Sequence, residues 1–252
     1  MTTLDARDGD LASDVQYDGP VAGVYDAVIG AALPVEATVE RCRPHVEGRR
    51  VLDIGVGTGR IALPLAEVAS SVVGIDNSAA MLEELRAKPG AGVLETHVAD
   101  FRAALPFAPG SFGGAVSTLG SMACVRSLEE LEAALTNVAT VLEPGARFAF
   151  DYYSSATYRL LAQVGTVEVE NQHHPSSTAV TTRIDGSTMT VSTVVTPHDG
   201  STPTAFDETV LLIEPDDLVA LAGRVGLRLV AQEPAEDLGP FDWFVLEREG
   251  GR

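Results

Sequence analysis

The chain has 252 residues, 45% of them hydrophobic and 21% charged, which is the composition of a soluble globular protein and a length that suits one α/β domain. Its 17 basic and 36 acidic residues give a formal net charge of −19, which repels phosphate backbones and counts against RNA or DNA as a partner. No apolar run approaches the roughly 18 residues of a membrane span, and the acidic, polar N-terminus is unlike a signal peptide, so we expect a cytoplasmic protein.

The N-terminal residues 1–48 are predicted to form a helical lid segment. From Val21 to His45 the apolar residues have helical spacing that Pro34 interrupts, which predicts a helix, a turn and a second helix.

Residues 49–153 alternate between strand-like and helical patterns. The strands are predicted at 51–54, 71–76, 92–98, 112–118 and 146–153, and the helices at 61–69, 78–88 and 127–143. The last helix is the clearest, with Ser127 as its N-cap and Pro144 and Gly145 after its end. Such alternation predicts a doubly wound α/β fold, with a parallel sheet covered by helices on both faces.

A different pattern follows in residues 165–213, which lack a long helical period. Strand-like runs at 178–185, 187–195 and 205–213 surround an Asp185-Gly186 turn signal and predict an antiparallel β insertion. A helix at 214–226 and strands at 228–232 and 242–248 are predicted to close the sheet, within 214–252. The whole chain, 1–252, is therefore interpreted as one domain with seven core strands, the lid segment and the insertion.

The stretch VLDIGVGTGR, residues 51–60, predicts a turn whose backbone a ligand approaches closely. A dinucleotide turn has the spacing G-x-G-x-x-G, which would place its third glycine at Arg60. The glycines are instead Gly55, Gly57 and Gly59, and Asp53 precedes them. This D-x-G-x-G-x-G pattern resembles that of class I S-adenosylmethionine-dependent methyltransferases.

The resemblance implies roles for further residues along the chain. Asp76, at the end of the second strand, would accept hydrogen bonds from both ribose hydroxyls, and Met81 would cover the adenine or simply pack in the core. Asp100 would bind the adenine amino group, while Phe101 would supply a backbone donor. The full set of expected S-adenosylmethionine contacts is Tyr17, Tyr25, Asp53, Gly55, Gly57, Gly59, Arg60, Asp76, Asn77, Met81, Asp100, Phe101 and Thr118.

Two features within the superfamily resemble bacterial small-molecule N-methyltransferases, in particular the amino-sugar N,N-dimethyltransferases of natural-product pathways. They are the late β insertion and the tyrosines Tyr17 and Tyr25, eight residues apart. The resemblance implies that Tyr17 lies by the methyl-donor end of the cofactor and Tyr25 by its carboxylate tail. It also implies that the insertion builds much of the substrate pocket or a contact in a possible homodimer.

The catalytic base is less evident from the sequence. In the similar enzymes a histidine lies in the loop that corresponds to residues 117–125, and Cys124 occupies that position here; a neutral thiol is a poor base. The other candidates are Tyr152 and Tyr153 after the fifth strand, and His173 and His174 in the insertion. We therefore name Tyr17, Tyr152, His173 and His174 as candidate catalytic residues, and no spacing of His, Cys and acids predicts a metal site.

The expected function is methyl transfer from S-adenosylmethionine to a small molecule, with an amino group favoured over a hydroxyl. Two alternatives stay open at this point. One is an enzyme of the same fold that keeps the cofactor but catalyses a cyclisation or rearrangement, and the other is a non-catalytic cofactor-binding protein. The substrate itself is not identified by the sequence.

Overall fold

A computed structural model describes residues 16–17, 19–28, 34–171, 174–235 and 239–250. Its helices are α1 (Pro20–Val28), α2 (Val35–Val46), α3 (Ala62–Leu65), α4 (Ala79–Ala87), α5 (Leu128–Val141), α6 (Ser155–Val164) and α7 (Pro215–Arg224). Its strands are β1 (Arg50–Ile54), β2 (Ser71–Asp76), β3 (Glu95–Val98), β4 (Phe112–Ser117), β5 (Leu142–Tyr153), β6 (Thr166–Glu170), β7 (Ser176–Asp185), β8 (Thr188–Pro197), β9 (Thr204–Leu211), β10 (Leu227–Glu233) and β11 (Phe241–Arg248). Short 3₁₀ turns lie at Ala91–Val93 and Ser121–Ala123.

The main sheet has seven strands in the order β10-β11-β5-β4-β1-β2-β3. The five neighbouring strands β3, β2, β1, β4 and β5 are parallel to one another. Strand β11 runs antiparallel to both β5 and β10. The order reverses direction between β1 and β4, and open α/β sheets bind ligands at the carboxyl ends of the strands beside such a reversal. The predicted doubly wound fold with seven core strands is confirmed.

Buried apolar residues lie on both faces of this sheet, as a parallel sheet requires. On one face Phe148, Phe150 and Phe244 stack in sequence, with ring centroids 4.5 and 5.5 Å apart, beneath helix α5. On the other face Cys42 and Leu65 belong to a second cluster under α2 and α3. Among the described helices, none is long and apolar enough to cross a membrane.

Some element boundaries differ from the predicted ones. The predicted helix 61–69 is regular only over α3; residues 66–69 continue as tight turns whose amides bind carbonyls three or four residues earlier. The predicted helix 127–143 ends at Val141, because β5 already begins at Leu142, before the Pro-Gly pair. Gly145 within that strand has a φ of +80°, which glycine adopts without strain.

The β insertion is a separate four-stranded antiparallel sheet, ordered β6-β7-β8-β9. Strand β6 and the helix α6 before it were not predicted. The β6 sequence, TVEVE, does alternate apolar and polar residues, so a signal for this strand was present although all five residues are exposed. Helix α6 has one buried aromatic residue, Tyr158, which faces the insertion side of the main sheet.

Helix α1 contacts the glycine turn through hydrogen bonds and an ion pair. The Asp26 carboxylate accepts a hydrogen bond from the Thr58 hydroxyl at 2.5 Å and pairs with the Lys88 ammonium. Lys88 also donates to the Thr58 carbonyl at 2.7 Å. The N-terminal segment is therefore held beside the carboxyl edge of the main sheet.

Candidate active site

The glycine turn connects β1 to α3 at the carboxyl edge of the sheet. Gly55, Gly57 and Gly59 all have positive φ, +70°, +54° and +76°, a region that side-chain-bearing residues rarely adopt. A Cβ on Gly55 would lie 2.5 Å from the Ser121 hydroxyl oxygen, and one on Gly57 would lie 3.2 Å from the end of Met81. Gly55 is therefore required by close approach as well as by backbone conformation, whereas at Gly57 the flexible end of Met81 can move and the backbone conformation is the main constraint.

Two small adjoining spaces open above this turn. The first, which we call the turn pocket, is lined by Tyr17, Tyr25, Asp53, Gly55, Val56, Gly57, Thr58, Arg60, Ile61, Asp76, Met81, Thr118, Leu119, Ser121 and Cys124. The second, the side pocket, is lined by Gln16, Tyr17, Gly55, Asp76, Asn77, Phe101, Arg102, Ser121 and Cys124. The structure therefore brings together most of the predicted cofactor contacts.

Two carboxylates, the buried Asp53 and the half-buried Asp76, line the turn pocket together with Arg60. Asp76 accepts hydrogen bonds from the amides of Gly57 and Ser78, both at 2.8 Å. Burial nevertheless raises the pKa of Asp76 above its usual value. Burial also raises the pKa of Asp53 to about 7, with the Asp76 charge as the second cause. Two acids in one buried space favour a ligand that carries positive charge or donates hydrogen bonds.

The loop after β4 forms another wall and is held by Asp151. This buried carboxylate accepts hydrogen bonds from the amides of Leu119 at 2.9 Å and Gly120 at 2.7 Å. Leu119 has a φ of +61°, unusual for a residue with a branched side chain. Burial raises the pKa of Asp151 to about 6, although both amides and nearby Arg60 oppose the shift. The loop geometry thus depends on a carboxylate in the adjacent strand.

Two predicted cofactor contacts lie outside these spaces. The Asp100 carboxylate is bound by its neighbour Arg102, whose guanidinium nitrogens approach it at 2.7–3.1 Å, and Arg102 rather than Asp100 lines the side pocket. The predicted adenine contact by Asp100 is therefore not supported by the geometry. Gly59 faces the core, where an added Cβ would lie 2.8 Å from Cγ of Leu85.

The N-terminal segment covers the site from the side of the insertion. The Gln16 side chain forms hydrogen bonds with both the carbonyl and the amide of Thr209 in β9, the former at 2.9 Å. The Tyr17 ring meets the Tyr25 ring edge-on, with centroids 5.7 Å apart, and lies 6.1 Å from the Phe206 ring. Tyr17 lines the turn pocket, the side pocket and the cavity described next.

A larger cavity of about 440 Å³ lies between the sheet edge and the β insertion. We call it the insertion cavity; its lining is Tyr17, Tyr25, Val28, Leu119, Tyr153, Tyr158, Val169, Asn171, Thr178, Val180, Val191, Thr193, Phe206, Glu208, Pro240 and Phe241. Tyr17, Tyr25 and Leu119 also line the turn pocket, so the two spaces share a wall. A reacting pair of ligands could meet at that wall.

The candidate bases predicted from the sequence lie in different parts of the structure. Tyr152 is fully buried, and its hydroxyl donates to the Leu211 carbonyl at 2.8 Å, so it packs in the core instead of lining the site. His174 contacts the Ser176 hydroxyl at 2.9 Å and does not line the turn pocket, the side pocket or the insertion cavity. His173 lies outside the described residues. Cys124 lines both small pockets, and burial together with the Glu208 charge raises its pKa well above the usual value.

Glu208 is the functional candidate that sequence reasoning missed. It lies in β9, is 7% exposed, lies near the hydroxyls of Tyr17 and Tyr153, and accepts a hydrogen bond from the Cys124 thiol at 3.8 Å. Phe206, Glu208 and Val210 alternate with exposed or half-exposed residues on one face of β9. The sequence did contain a signal for this residue, namely an acidic residue on the apolar face of an alternating strand.

Sequence comparison relates the chain to known methyltransferases. Residues 51–145 match the family model described as a methyltransferase domain. One relative is the O-methyltransferase resE of Aspergillus sclerotiorum, 36% identical over 106 residues, which are 40% of this chain and 39% of that one. The chain spans between about two fifths and just over half of the length of the first curated relatives that it matches.

Solved structures resemble the chain over nearly all of its length. The CcbJ methyltransferase of Streptomyces caelestis has a TM-score of 0.80 at 22% identity, covering 94% of this chain and 99% of that one. CalS10, an amino pentose methyltransferase of Micromonospora echinaspora solved with S-adenosylmethionine bound, has a TM-score of 0.65 at 18% identity, covering 98% and 99%. Residues 51–145 therefore match a methyltransferase domain, and the chain has the fold of solved S-adenosylmethionine-dependent methyltransferases.

Proposed function

We propose that this protein transfers a methyl group from S-adenosylmethionine to the amino group of a small molecule. One observation carries the proposal: the turn pocket and the insertion cavity share the wall formed by Tyr17, Tyr25 and Leu119. A donor bound in the first space and an acceptor bound in the second would meet there. Alignment of the two reactants and exclusion of water can supply much of the rate of such a displacement.

The residues of the two small pockets fit S-adenosylmethionine in chemistry. Asp76 would accept hydrogen bonds from the ribose, Met81 and Phe101 would contact the adenine, and Tyr25 with Arg60 would lie near the amino-acid tail. Gly55 and Gly57 line the turn pocket with backbone alone, and Ser121 packs so close to Gly55 that a Cβ there would overlap it. When bound, S-adenosylmethionine supplies a methyl group on a positively charged sulfur.

We infer that residues 16–17 move when the ligand binds. The turn pocket and the side pocket hold about 50 and 60 Å³, well below the roughly 300–1,000 Å³ of typical ligand pockets. Tyr17 lines both, and its segment is attached to β9 through Gln16. Release of this segment would join the two pockets, and its return would cover the ligand.

The test begins with the cofactor. Calorimetry should show S-adenosylmethionine binding and no comparable binding of NAD. The protein is then incubated with S-adenosylmethionine that carries a tritiated methyl group and with a set of matched small amines and alcohols. Label transferred to amines, together with release of S-adenosylhomocysteine, would support the proposal, whereas label on alcohols would move the acceptor to oxygen. A changed acceptor without label would favour the cyclisation or rearrangement enzyme, and no change in any acceptor would favour a binding protein.

The setting of the reaction forms part of the same proposal. Natural-product biosynthesis in the cytoplasm, without nucleic acid, is consistent with the net charge of −19 and with the relatives named above. Exposed apolar residues on α6 and β6 support a homodimer; Leu160, Val164 and Val169 are 51%, 66% and 50% exposed. Light scattering of the purified protein would determine whether it forms a dimer, and a monomeric mass would refute the proposed homodimer.

A further inference from the structure

Glu208 is placed at the cavity side of the insertion sheet by the alternation of strand β9. Its neighbour Asp207 is exposed, while Phe206 and Glu208 both line the insertion cavity. The Cys124 thiol donates to the carboxylate, with its sulfur 3.8 Å from Oε1, and the neutral hydroxyls of Tyr17 and Tyr153 lie near it in the same cavity. These neutral groups stabilise a negative charge without neutralising it.

The walls of the insertion cavity suit a cation. Among the described residues that line it, Glu208 is the one acidic residue, and none is Lys, Arg or His. Six of the lining residues are aromatic: Tyr17, Tyr25, Tyr153, Tyr158, Phe206 and Phe241. Aromatic faces attract cations, and a buried carboxylate without a cationic partner is costly. A bound ammonium group would remove that cost.

The other titratable groups near Glu208 are weaker bases at neutral pH. They are Tyr17 from the N-terminal segment, Tyr25 from α1, Cys124 from the loop after β4, Tyr153 from β5 and Tyr158 from α6. Burial raises the pKa of each, and the Glu208 charge adds to the shift, so these groups stay protonated. Burial also raises the pKa of Glu208 itself, which makes it a better proton acceptor than an exposed glutamate.

We propose that Glu208 is a catalytic residue that selects an acceptor amine in its ammonium form and then takes its proton. This inference rests on the proposed methyl transfer. The ammonium N–H bond breaks, an O–H bond forms on Glu208, and the freed nitrogen lone pair becomes the nucleophile. Methyl transfer would form an N–C bond as the C–S bond of the donor breaks, which leaves the positive charge on the nitrogen and a neutral thioether, and the Glu208 proton leaves to water. The acceptor class is a primary or secondary amine on a largely apolar body that fits about 440 Å³.

The first experiment measures cation selection without turnover. Phenyltrimethylammonium and its uncharged isostere tert-butylbenzene are titrated by ligand-observed NMR into the wild type, Glu208→Gln and Asp207→Asn. The wild type should prefer the cation by at least about tenfold, as expected for a site with a buried carboxylate and aromatic faces. Asp207→Asn, the matched control on the exposed face, should keep this preference, and Glu208→Gln should lose most of it. A wild type without the preference, or a Glu208→Gln variant that keeps it, would overturn the proposal.

The second experiment identifies the group that titrates. The quaternary probe carries a permanent charge, so any pH dependence of its binding reports on the protein. Binding to the wild type should weaken as the pH falls through the raised pKa of Glu208, because the carboxyl becomes neutral, and Glu208→Gln should bind with a flat profile. A flat wild-type profile between pH 4 and 8 would contradict the assignment, even where the variant fails to fold.

A separate measurement of S-adenosylmethionine binding distinguishes a failure of the proposed methyl transfer from a failure of the proposed role of Glu208. Glu208→Gln should bind S-adenosylmethionine within about threefold of the wild type, since Glu208 lines the insertion cavity and not the turn pocket. If the wild type prefers the cation but binds no S-adenosylmethionine, the proposed function fails and the cation site stands. If it binds S-adenosylmethionine without cation preference, the role of Glu208 fails alone.

Discussion

Replacing Gly59 by alanine should destabilise the fold more than the same change at Gly57, although both glycines belong to one turn. Each has a positive φ, +76° and +54°, so an alanine at either position loses roughly 1–2 kcal/mol from the left-handed backbone. At Gly57 the new Cβ would lie 3.2 Å from the end of Met81, which can rotate away. At Gly59 it would lie 2.8 Å from Cγ of Leu85, which is fully buried. Overpacking adds about 1–3 kcal/mol, which gives a loss of about 2–5 kcal/mol for Gly59→Ala.

Urea unfolding followed by the fluorescence of Trp243, the single tryptophan of the chain and a buried residue of β11, measures both losses. Gly57→Ala serves as the matched control, because it has the same backbone strain without the core overlap. In a double-mutant cycle, Leu85→Ala should cancel part of the effect of Gly59→Ala. Equal unfolding free energies for the two alanine variants, or strict additivity in the cycle, would refute the reasoning.

Three further changes test the charges of the site. Asp76→Asn should weaken S-adenosylmethionine binding by about 1.5–3 kcal/mol, because it removes a charged acceptor, and calorimetry that shows equal affinity would exclude the contact. Asp53 has a folded pKa of about 7 against a usual 3.8, so the folded state binds the extra proton and stability falls by up to about 1.4 kcal/mol per pH unit between these values. Asp53→Asn should therefore stabilise the protein at pH 8 and hardly at pH 4 in urea unfolding; an equal effect at both would contradict the shift. Cys124→Ala should lower turnover by less than about tenfold, because the protonated thiol is no base, and a loss of 10²–10⁴ in labelled-methyl transfer would make it one.

The parts of the site that depend on local sequence were predictable. The glycine turn and Asp76 lie within a few residues of strand ends, so the alternation of strands and helices fixes their position at the carboxyl edge. Asp100 lies at the same edge, but its contact with Arg102 depends on side-chain conformations that the spacing does not reveal. The pattern therefore located the pocket better than it located each contact.

Contacts between distant segments could not be predicted. Glu208 meets Tyr17 across 190 intervening residues, and only the packing of β9 on the N-terminal segment brings them together. Adjacent tyrosines show the same limit, since Tyr152 and Tyr153 point to opposite faces of β5. The sequence alone does not determine that Tyr153 faces the cavity while Tyr152 binds the Leu211 carbonyl.

The alternation of the insertion strands separates two kinds of position for evolution and for engineering. Two alternate residues of each of β7, β8 and β9 reach the insertion cavity, namely Thr178, Val180, Val191, Thr193, Phe206 and Glu208. Backbone hydrogen bonds pair β7 with β8 and β8 with β9 along nearly their whole length, and substitutions that keep the apolar and polar alternation preserve this register. A library randomised at the first five of these positions should therefore redirect acceptor preference while the glycine turn, more than 100 residues earlier in the chain, keeps its affinity for the methyl donor. Acceptor diversity can accumulate on one sheet while the other remains under unchanged selection.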